Sequence, residues 1–345
     1  MADFTTLIQG WYRRNKRDLP WRQTKDPYKI WLSEVILQQT RVDQGLNYYV
    51  KFTTQFPTVF DLANAAEDEV LNLWQGLGYY SRARNLHAST KQVVENFGGV
   101  FPRSYEGIKS LKGVGDYTAS AIASICFGLP HAVVDGNVYR VLSRYLEVST
   151  PIDSTQGKKE FAQIASEFLD VLNPGDHNQA LMEIGALICL PKNPSCETCP
   201  LAGSCAAFHS NTQLNFPIKA KKTKVVKRYL NYLVLFDGKD TVIQKRVGKG
   251  IWQGLYDFPF IEVESLNGLE LSVLNHYEPI EIMQDGQLKH SLSHQELYVT
   301  FWVVKVSKLD LIQGQIKVPI SAIEAYPLPQ LLIRYIQQSR LFDAD

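Results

Sequence analysis

Three groups of residues in this 345-residue chain have types and spacings that could do chemistry. The first is Cys189, Cys196, Cys199 and Cys205, a C-x6-C-x2-C-x5-C array that holds four of the five cysteines. Thiolates at these spacings can wrap one compact metal centre, zinc or an iron–sulfur cluster, and spacing does not choose between them. The second group is two carboxylates. Glu34 stands in the apolar run Leu32-Ser33-Glu34-Val35-Ile36-Leu37. There it must be paired, set against a helix dipole, or kept protonated for work as an acid. Asp135 precedes Gly136-Asn137 at an expected helix start, where it can cap the helix and keep its charge. The third is Gly113-Val114-Gly115 ahead of Asp116. Two glycines in a tight connection between helices leave N–H groups free for an anion, and nucleic acid is the commonest large polyanion. A plain helical hairpin is the alternative.

Helices must position these groups. The pattern predicts one long helix from Ile30 to Phe52, a short one over Tyr105 to Leu111, and another from Asp116 to Phe127. Ala119, Ile122, Ala123 and Cys126 form the core stripe of the last, which makes Cys126 a structural residue. Residues 66–97 read as two helices joined by Gly76-Leu77-Gly78-Tyr79-Tyr80, with Arg82 and Arg84 following. A helix begins near Val138, and two more span 158–190 with a break at Asn173-Pro174-Gly175-Asp176. Near the start, Trp11, Arg13, Arg14, Lys16, Arg17, Trp21 and Arg22 interleave charge and aromatic rings. They suit phosphates and bases, or else a solvated helix end with a core tryptophan.

Beyond the cysteines the texture changes. Residues 209–228 are polar and then basic, with Lys219, Lys221, Lys222, Lys224, Lys227 and Arg228, and read as a linker. Alternating strands follow over 229–236, 241–245 and 297–306, with a turn at Asp237-Gly238 and a helix over 322–339. The fold class is therefore multidomain, all-α and then α+β. A net charge of +1 requires any DNA affinity to come from local positive surface. There is no signal-peptide pattern and no run of apolar residues long enough for a membrane span, so a cytoplasmic or otherwise intracellular protein is expected.

Taken together, the residues resemble the helix-hairpin-helix DNA glycosylases, specifically their adenine-excising branch. The resemblance rests on Leu-Ser-Glu-Val-Ile-Leu-Gln-Gln-Thr at 32–40, Gly-Leu-Gly-Tyr-Tyr at 76–80, Leu-Lys-Gly-Val-Gly at 111–115, Val-Asp-Gly-Asn-Val at 134–138, and the cysteine array. It implies a helical catalytic region over 1–208 and one structural four-iron four-sulfur cluster in the loop 189–205. A basic linker (209–228) and a Nudix-like lesion-recognition domain (229–345) would follow. The Nudix catalytic box is missing, because Gly254 is followed by Leu-Tyr-Asp-Phe-Pro without the glutamate-rich segment. No metal-dependent hydrolase site is expected there.

The implied reaction is removal of adenine mispaired with 8-oxoguanine or guanine in duplex DNA, after base flipping. Breaking the C1′–N9 bond needs a protonated base and an anion beside the sugar cation, hence one carboxyl held neutral and one ionised. By resemblance Glu34 is the acid, Asp135 the anion, and Asn137 orients water or carboxylate. Tyr117 stands where the endonuclease III type carries a nucleophilic lysine, so strong lyase activity is not expected. Arg22, Trp21, Leu37 and Gln179 would bind adenine. Gln39, Thr40 and Tyr79 would fill the gap and contact the opposite base, with Gly113 and Gly115 anchoring phosphate. Ser293 and His294 would read 8-oxoguanine, in a loop with Leu292 where the family pattern has phenylalanine. The enzyme is expected to act as a monomer on double-stranded DNA, with no membrane association and with repair or replication proteins as further partners. The competing readings are an endonuclease III-like glycosylase/lyase, a non-catalytic DNA-binding module, and a Nudix hydrolase.

Overall fold

The computed structural model describes residues 2–220 and 225–342. Of the basic residues read as a linker, Lys221, Lys222 and Lys224 lie outside the described residues. The chain divides into two compact units, one of residues 2–63 and 88–220 and the other of residues 64–87 and 225–342.

The helices, in chain order, begin with α1 (Ala2–Asn15), α2 (Pro27–Ile36), α3 (Val42–Gln55) and α4 (Val59–Asn64). Then come α5 (Glu67–Leu73), α6 (Ser81–Phe97), α7 (Tyr105–Lys109) and α8 (Asp116–Phe127). The first unit continues with α9 (Gly136–Leu146), α10 (Thr155–Phe168), α11 (Pro174–Leu187) and α12 (Ala206–His209). Apolar residues recur on α9 at Val138, Val141, Leu142 and Tyr145, the spacing of one helix face. That face packs on Phe4 and Ile8 of α1, Phe161 of α10, and Leu181 and Ile184 of α11. Each such fully buried side chain is worth about 1.5–3 kcal/mol. Glycines let α11 approach its neighbours. A Cβ on Gly175 would fall 2.9 Å from the Ser124 carbonyl oxygen of α8, and one on Gly185 would fall 2.5 Å from Asn137 Cβ.

One expectation fails here. The helix foreseen from Ile30 to Phe52 is two helices, α2 and α3, separated at Leu37–Arg41. Gln39 closes the break with φ 59°, and Gly45 admits Leu37, whose Cδ2 would lie 2.7 Å from a Cβ at that position. Glu34 consequently sits in the last turn of α2, not near the start of a long helix. The stretch read as a linker also keeps to the first unit as far as Ala220. Ile152 N–H donates to the Ile218 carbonyl, and Ala220 N–H donates to Asp153.

The second unit is built on β1 (Val226–Phe236), β2 (Asp240–Lys245), β3 (Tyr256–Asp257), β4 (Phe260–Val263), β5 (Pro279–Ser291), β6 (Gln295–Val306) and β7 (Gln315–Pro319). They make one mixed sheet in the order β3-β2-β1-β6-β5, with β4 on β1 and β7 on β2. The pair β1·β6 is parallel, and β5·β6 is an antiparallel hairpin whose turn is Leu292–His294. The expected helix over 322–339 begins only at α13 (Gln330–Gln338). Pro327 and Pro329 explain the delay, since the residue before a proline avoids the helical region. Residues 64–87 belong to this unit. Lys245 Nζ and the Tyr256 hydroxyl both bind Asp68, at 2.5 and 2.9 Å.

Candidate active site and cluster loop

Glu34, Tyr117, Asp135 and Asn137 meet in the first unit. Tyr117, on the first turn of α8, donates its hydroxyl proton to Glu34 Oε2 at 2.5 Å. Glu34 is 8% exposed, and burial pushes its carboxyl up to about 7. The hydroxyl of Tyr117 and the charge of Arg22 pull it down, while Asp135 pushes it further up. Its place at the negative end of α2 acts in the same direction as burial.

Asp135 is the N-cap of α9. Its Oδ1 accepts from Val138 N–H at 2.8 Å and its Oδ2 from Asn137 Nδ2 at 2.7 Å. Burial raises its proton affinity, and these donors, with Arg140, oppose the rise. Buried Asn178 fixes the approach to this cap. It accepts from Val133 N–H and donates to the His131 carbonyl and Ser124 Oγ. Asn137 is itself held, since its Oδ1 accepts from Arg140 at 2.8 Å. Arg140 also donates to the carbonyls of Gly185 and Cys189. A hydrogen-bonded chain thus runs from Asp135 to the backbone of the first cysteine of the array.

The residues expected to bind adenine have these surroundings. Gln179 of α11 accepts from the Tyr12 hydroxyl at 3.2 Å, which turns its amide N–H₂ away from Tyr12. Arg22 lies over the Tyr12 ring, 5.4 Å from its centroid. Leu37 is half-buried beside Gly45, whereas Trp21 is buried edge-on against Tyr49. Gln39 is exposed on the turn after α2, and Thr40 is half-buried. The reading of residues 11–22 as a phosphate-binding stretch does not hold for Arg17, Arg22, Trp11 or Trp21. Both arginines turn inward onto buried Glu183, and both tryptophans are core residues. Sequence reasoning passed over Tyr12, Met182 and Glu183. The signal was present for Glu183, a carboxylate in the apolar run Ala180-Leu181-Met182-Glu183-Ile184, the same sign that singled out Glu34.

The turn between α7 and α8 is open at its glycines. Gly113 takes φ 77°, open only to glycine at low cost, and Gly115 is the N-cap of α8 with nothing within 4 Å of a Cβ position. Both are exposed.

The second unit holds its own cavity, of about 450 Å³, lined by Tyr79, Tyr80, Trp252, Leu292, Ser293 and His294 among others. The turn before α6 is wound tightly, with Gly76, Gly78 and Tyr79 all at positive φ. Tyr79 is thereby exposed, and its hydroxyl meets Ser293 Oγ in a short hydrogen bond. Ser293 and His294 are exposed at the tip of the β5–β6 hairpin.

Cys189, Cys196, Cys199 and Cys205 line one cavity of about 30 Å³, with Val141, Ile184 and Leu201 as apolar wall. Arg144 is 2% exposed and donates to Cys189 Sγ at 3.3 Å and to the Leu190 and Pro191 carbonyls. A buried cation against a thiol suits a thiolate set of net negative charge. Four soft donors around one dry pocket fit an iron–sulfur cluster.

Known proteins place these observations in a family. Residues 32–169 match the HhH-GPD superfamily of base excision DNA repair proteins, residues 189–205 the iron–sulfur binding domain of endonuclease III, and residues 231–338 the NUDIX domain. The four cysteines therefore hold a four-iron four-sulfur cluster. The adenine DNA glycosylase of Buchnera aphidicola subsp. Baizongia pistaciae is 35% identical over 318 residues, covering 91% of this chain and 89% of the relative. The human adenine DNA glycosylase is 45% identical over 213 residues, 59% of this chain and 39% of its own length. The solved structure of a thermostable thymine-DNA glycosylase overlays 61% of this chain and 96% of its own, at 30% identity and a TM-score of 0.56. A relative matched along nearly its whole length, over both units and the cysteine loop, leaves one conclusion: this chain belongs to the adenine DNA glycosylases.

Proposed function

We propose that this chain removes adenine mispaired with 8-oxoguanine or guanine in duplex DNA by acid-catalysed cleavage of the N-glycosidic bond, acting as a monomer without strong lyase activity. The observation that carries the reading is the pair of carboxyls held in unlike settings. Glu34 keeps a proton near neutrality, and Asp135 has a donor fixed on each oxygen.

Glu34 gives its proton to adenine N7, so the base leaves as a neutral molecule when C1′–N9 breaks. Asp135 meets the cation that forms at C1′, through a covalent adduct, and C1′ configuration is retained after water enters. Glu34, now ionised, takes the proton of that water. Asn137 holds Asp135 in place. Tyr117 offers a phenol, which cannot form a Schiff base with the sugar.

Arg22, Gln179, Trp21 and Leu37 form the adenine pocket, and Gln39, Thr40 and Tyr79 act at the vacated gap. Gly113 and Gly115 receive the phosphate. Ser293 and His294 read the opposite base. In this reading the helical region to 208 does the chemistry and residues 229–345 recognise the lesion. The iron–sulfur cluster supports the fold of its loop and takes no part in bond breaking.

A single-turnover assay on duplex carrying A opposite 8-oxoguanine tests this. Wild type should yield cleaved strand only after hot alkali. Strand nicking without alkali would favour a glycosylase/lyase, and binding without base release would sink the enzymatic reading.

A further inference from the structure

Glu183 of α11 is a heavily bonded carboxylate. It is 1% exposed and accepts five hydrogen bonds from two arginines. Arg17 gives its backbone N–H at 3.0 Å, Nε at 2.9 Å and Nη2 at 2.6 Å. Arg22 gives Nη1 at 2.7 Å and Nη2 at 2.6 Å. Such a set keeps Glu183 ionised, with its carboxyl held down at about 2. It also fixes both prongs of the Arg22 fork, whose Nη1 donates as well to the Arg17 carbonyl at 3.1 Å.

The place of this ion group makes it more than a clamp on the N-terminal segment. Arg22 is the cation within electrostatic reach of Glu34. The other groups facing Glu34 are the Tyr117 hydroxyl from α8, Asp135 from the start of α9, and the Cys126 thiol of α8. Glu183 is tied to this site through Arg22. Its neighbour on α11, Met182, touches the Tyr117 hydroxyl through Sδ at 3.8 Å, so one turn of α11 borders both the acid's hydrogen-bond partner and its nearby cation.

We propose that Glu183 is a positioning residue of the base-excision reaction: it holds Arg22 in one orientation and cancels its charge, so that Glu34 keeps the proton it must donate. An unbalanced guanidinium within electrostatic reach of Glu34 would favour the carboxylate and spend the acid before substrate arrives. This rests on the proposed role of Glu34 as proton donor.

The test uses full-length protein with its cluster loaded. The Glu34 carboxyl is titrated by carbon-13 NMR without DNA, and single-turnover excision is followed across pH with A:8-oxoguanine duplex. In Glu183→Gln the Glu34 midpoint should fall by about one pH unit. Excision should then drop about tenfold on the alkaline side and recover on acidification. Arg22→Gln/Glu183→Gln, which removes both charges, should bring the midpoint back, and Glu183→Asp should keep it near the wild-type value. A uniform rate loss in Glu183→Gln with an unmoved midpoint would reduce Glu183 to a structural brace and overturn the inference. If Glu183→Gln does not retain its cluster, Arg22→Gln decides: with Glu183 still charged, the midpoint must rise, and no change or a fall overturns the inference. Absence of excision by wild type would instead overturn the functional reading, since the DNA-free titration stands without it.

Discussion

Glu34 in the first unit and Asp257 in the second are both buried carboxyls, and burial raises the proton affinity of each, to about 7 and about 6. Their partners differ. Asp257 is fully buried and is bridged by Arg246, whose guanidinium also lies over the rings of Trp252 and Phe260. The Tyr232 hydroxyl approaches the same oxygen at 3.5 Å. The group is a charge neutralised on the spot, at the end of the loop that runs from β2 to β3. Glu34 takes its hydrogen bond from a neutral phenol, and a second carboxylate, Asp135, raises it further. A raised pKa therefore marks burial, and only the pairing with a second, differently held carboxylate marks a site for acid chemistry.

The largest effect that could break this comparison is on catalysis. Glu34→Gln and Asp135→Asn should each lower single-turnover base release at least about a thousandfold while duplex binding persists. Asp257→Asn should leave the rate within about twofold. A large rate loss from Asp257→Asn would erase the distinction.

Stability should show the reverse pattern. Arg246→Met leaves Asp257 buried without its cation and should cost about 3 kcal/mol in the unfolding transition of the second unit at pH 8. The sign with pH follows from the raised proton affinity. Arg246 lowers the proton affinity of Asp257, so the folded variant holds its proton to higher pH than wild type, and the penalty shrinks as pH falls towards about 6. Calorimetry of the full chain at pH 5 and pH 8 measures it, and an equal loss at both would show that the missing charge is not the cause.

The exposed hairpin tip should respond more mildly. If Ser293 reads the opposite base as proposed, Ser293→Ala removes about one hydrogen bond to its edge, roughly 1 kcal/mol or fivefold in affinity for lesion duplex. The rate from the bound state should not move. A titration of labelled duplex at fixed salt separates the two, and a rate change without an affinity change would remove Ser293 from lesion reading.

Much of this was legible in the sequence. The cysteine array, the cap at Asp135 and the glycine turns are local signals, and the structure places the cap and turns where spacing put them. What escaped was set by distant partners. The break after Ile36 contains no glycine or proline; Gln39 holds φ 59° while Gly45, six residues on, makes room for Leu37. Strand β5 was missed because its sequence alternates poorly and its register shifts between Gln284 and Gly286. Arg17 and Arg22 read either as phosphate ligands or as part of a solvated helix end, because nothing near them in sequence reveals Glu183, more than 160 residues away.

The smallest expected effect bears most directly on how Glu34 is tuned. The Tyr117 hydroxyl donates to Glu34 Oε2, and a donor stabilises the ionised carboxyl, so this bond lowers the proton affinity that burial raises. Tyr117→Phe removes the donor and keeps the ring. The Glu34 midpoint should rise by about half a unit, and the alkaline limb of the single-turnover rate should move up with it. An acid that stays protonated to higher pH gives more product at pH 8, by about threefold if proton donation is all that changes. A downward shift would mean that the phenol contacts Glu34 in its protonated form and holds the proton in place. Tyr117 would then belong with the groups that keep the acid charged with its proton, and burial alone would no longer account for the difference between Glu34 and Asp257.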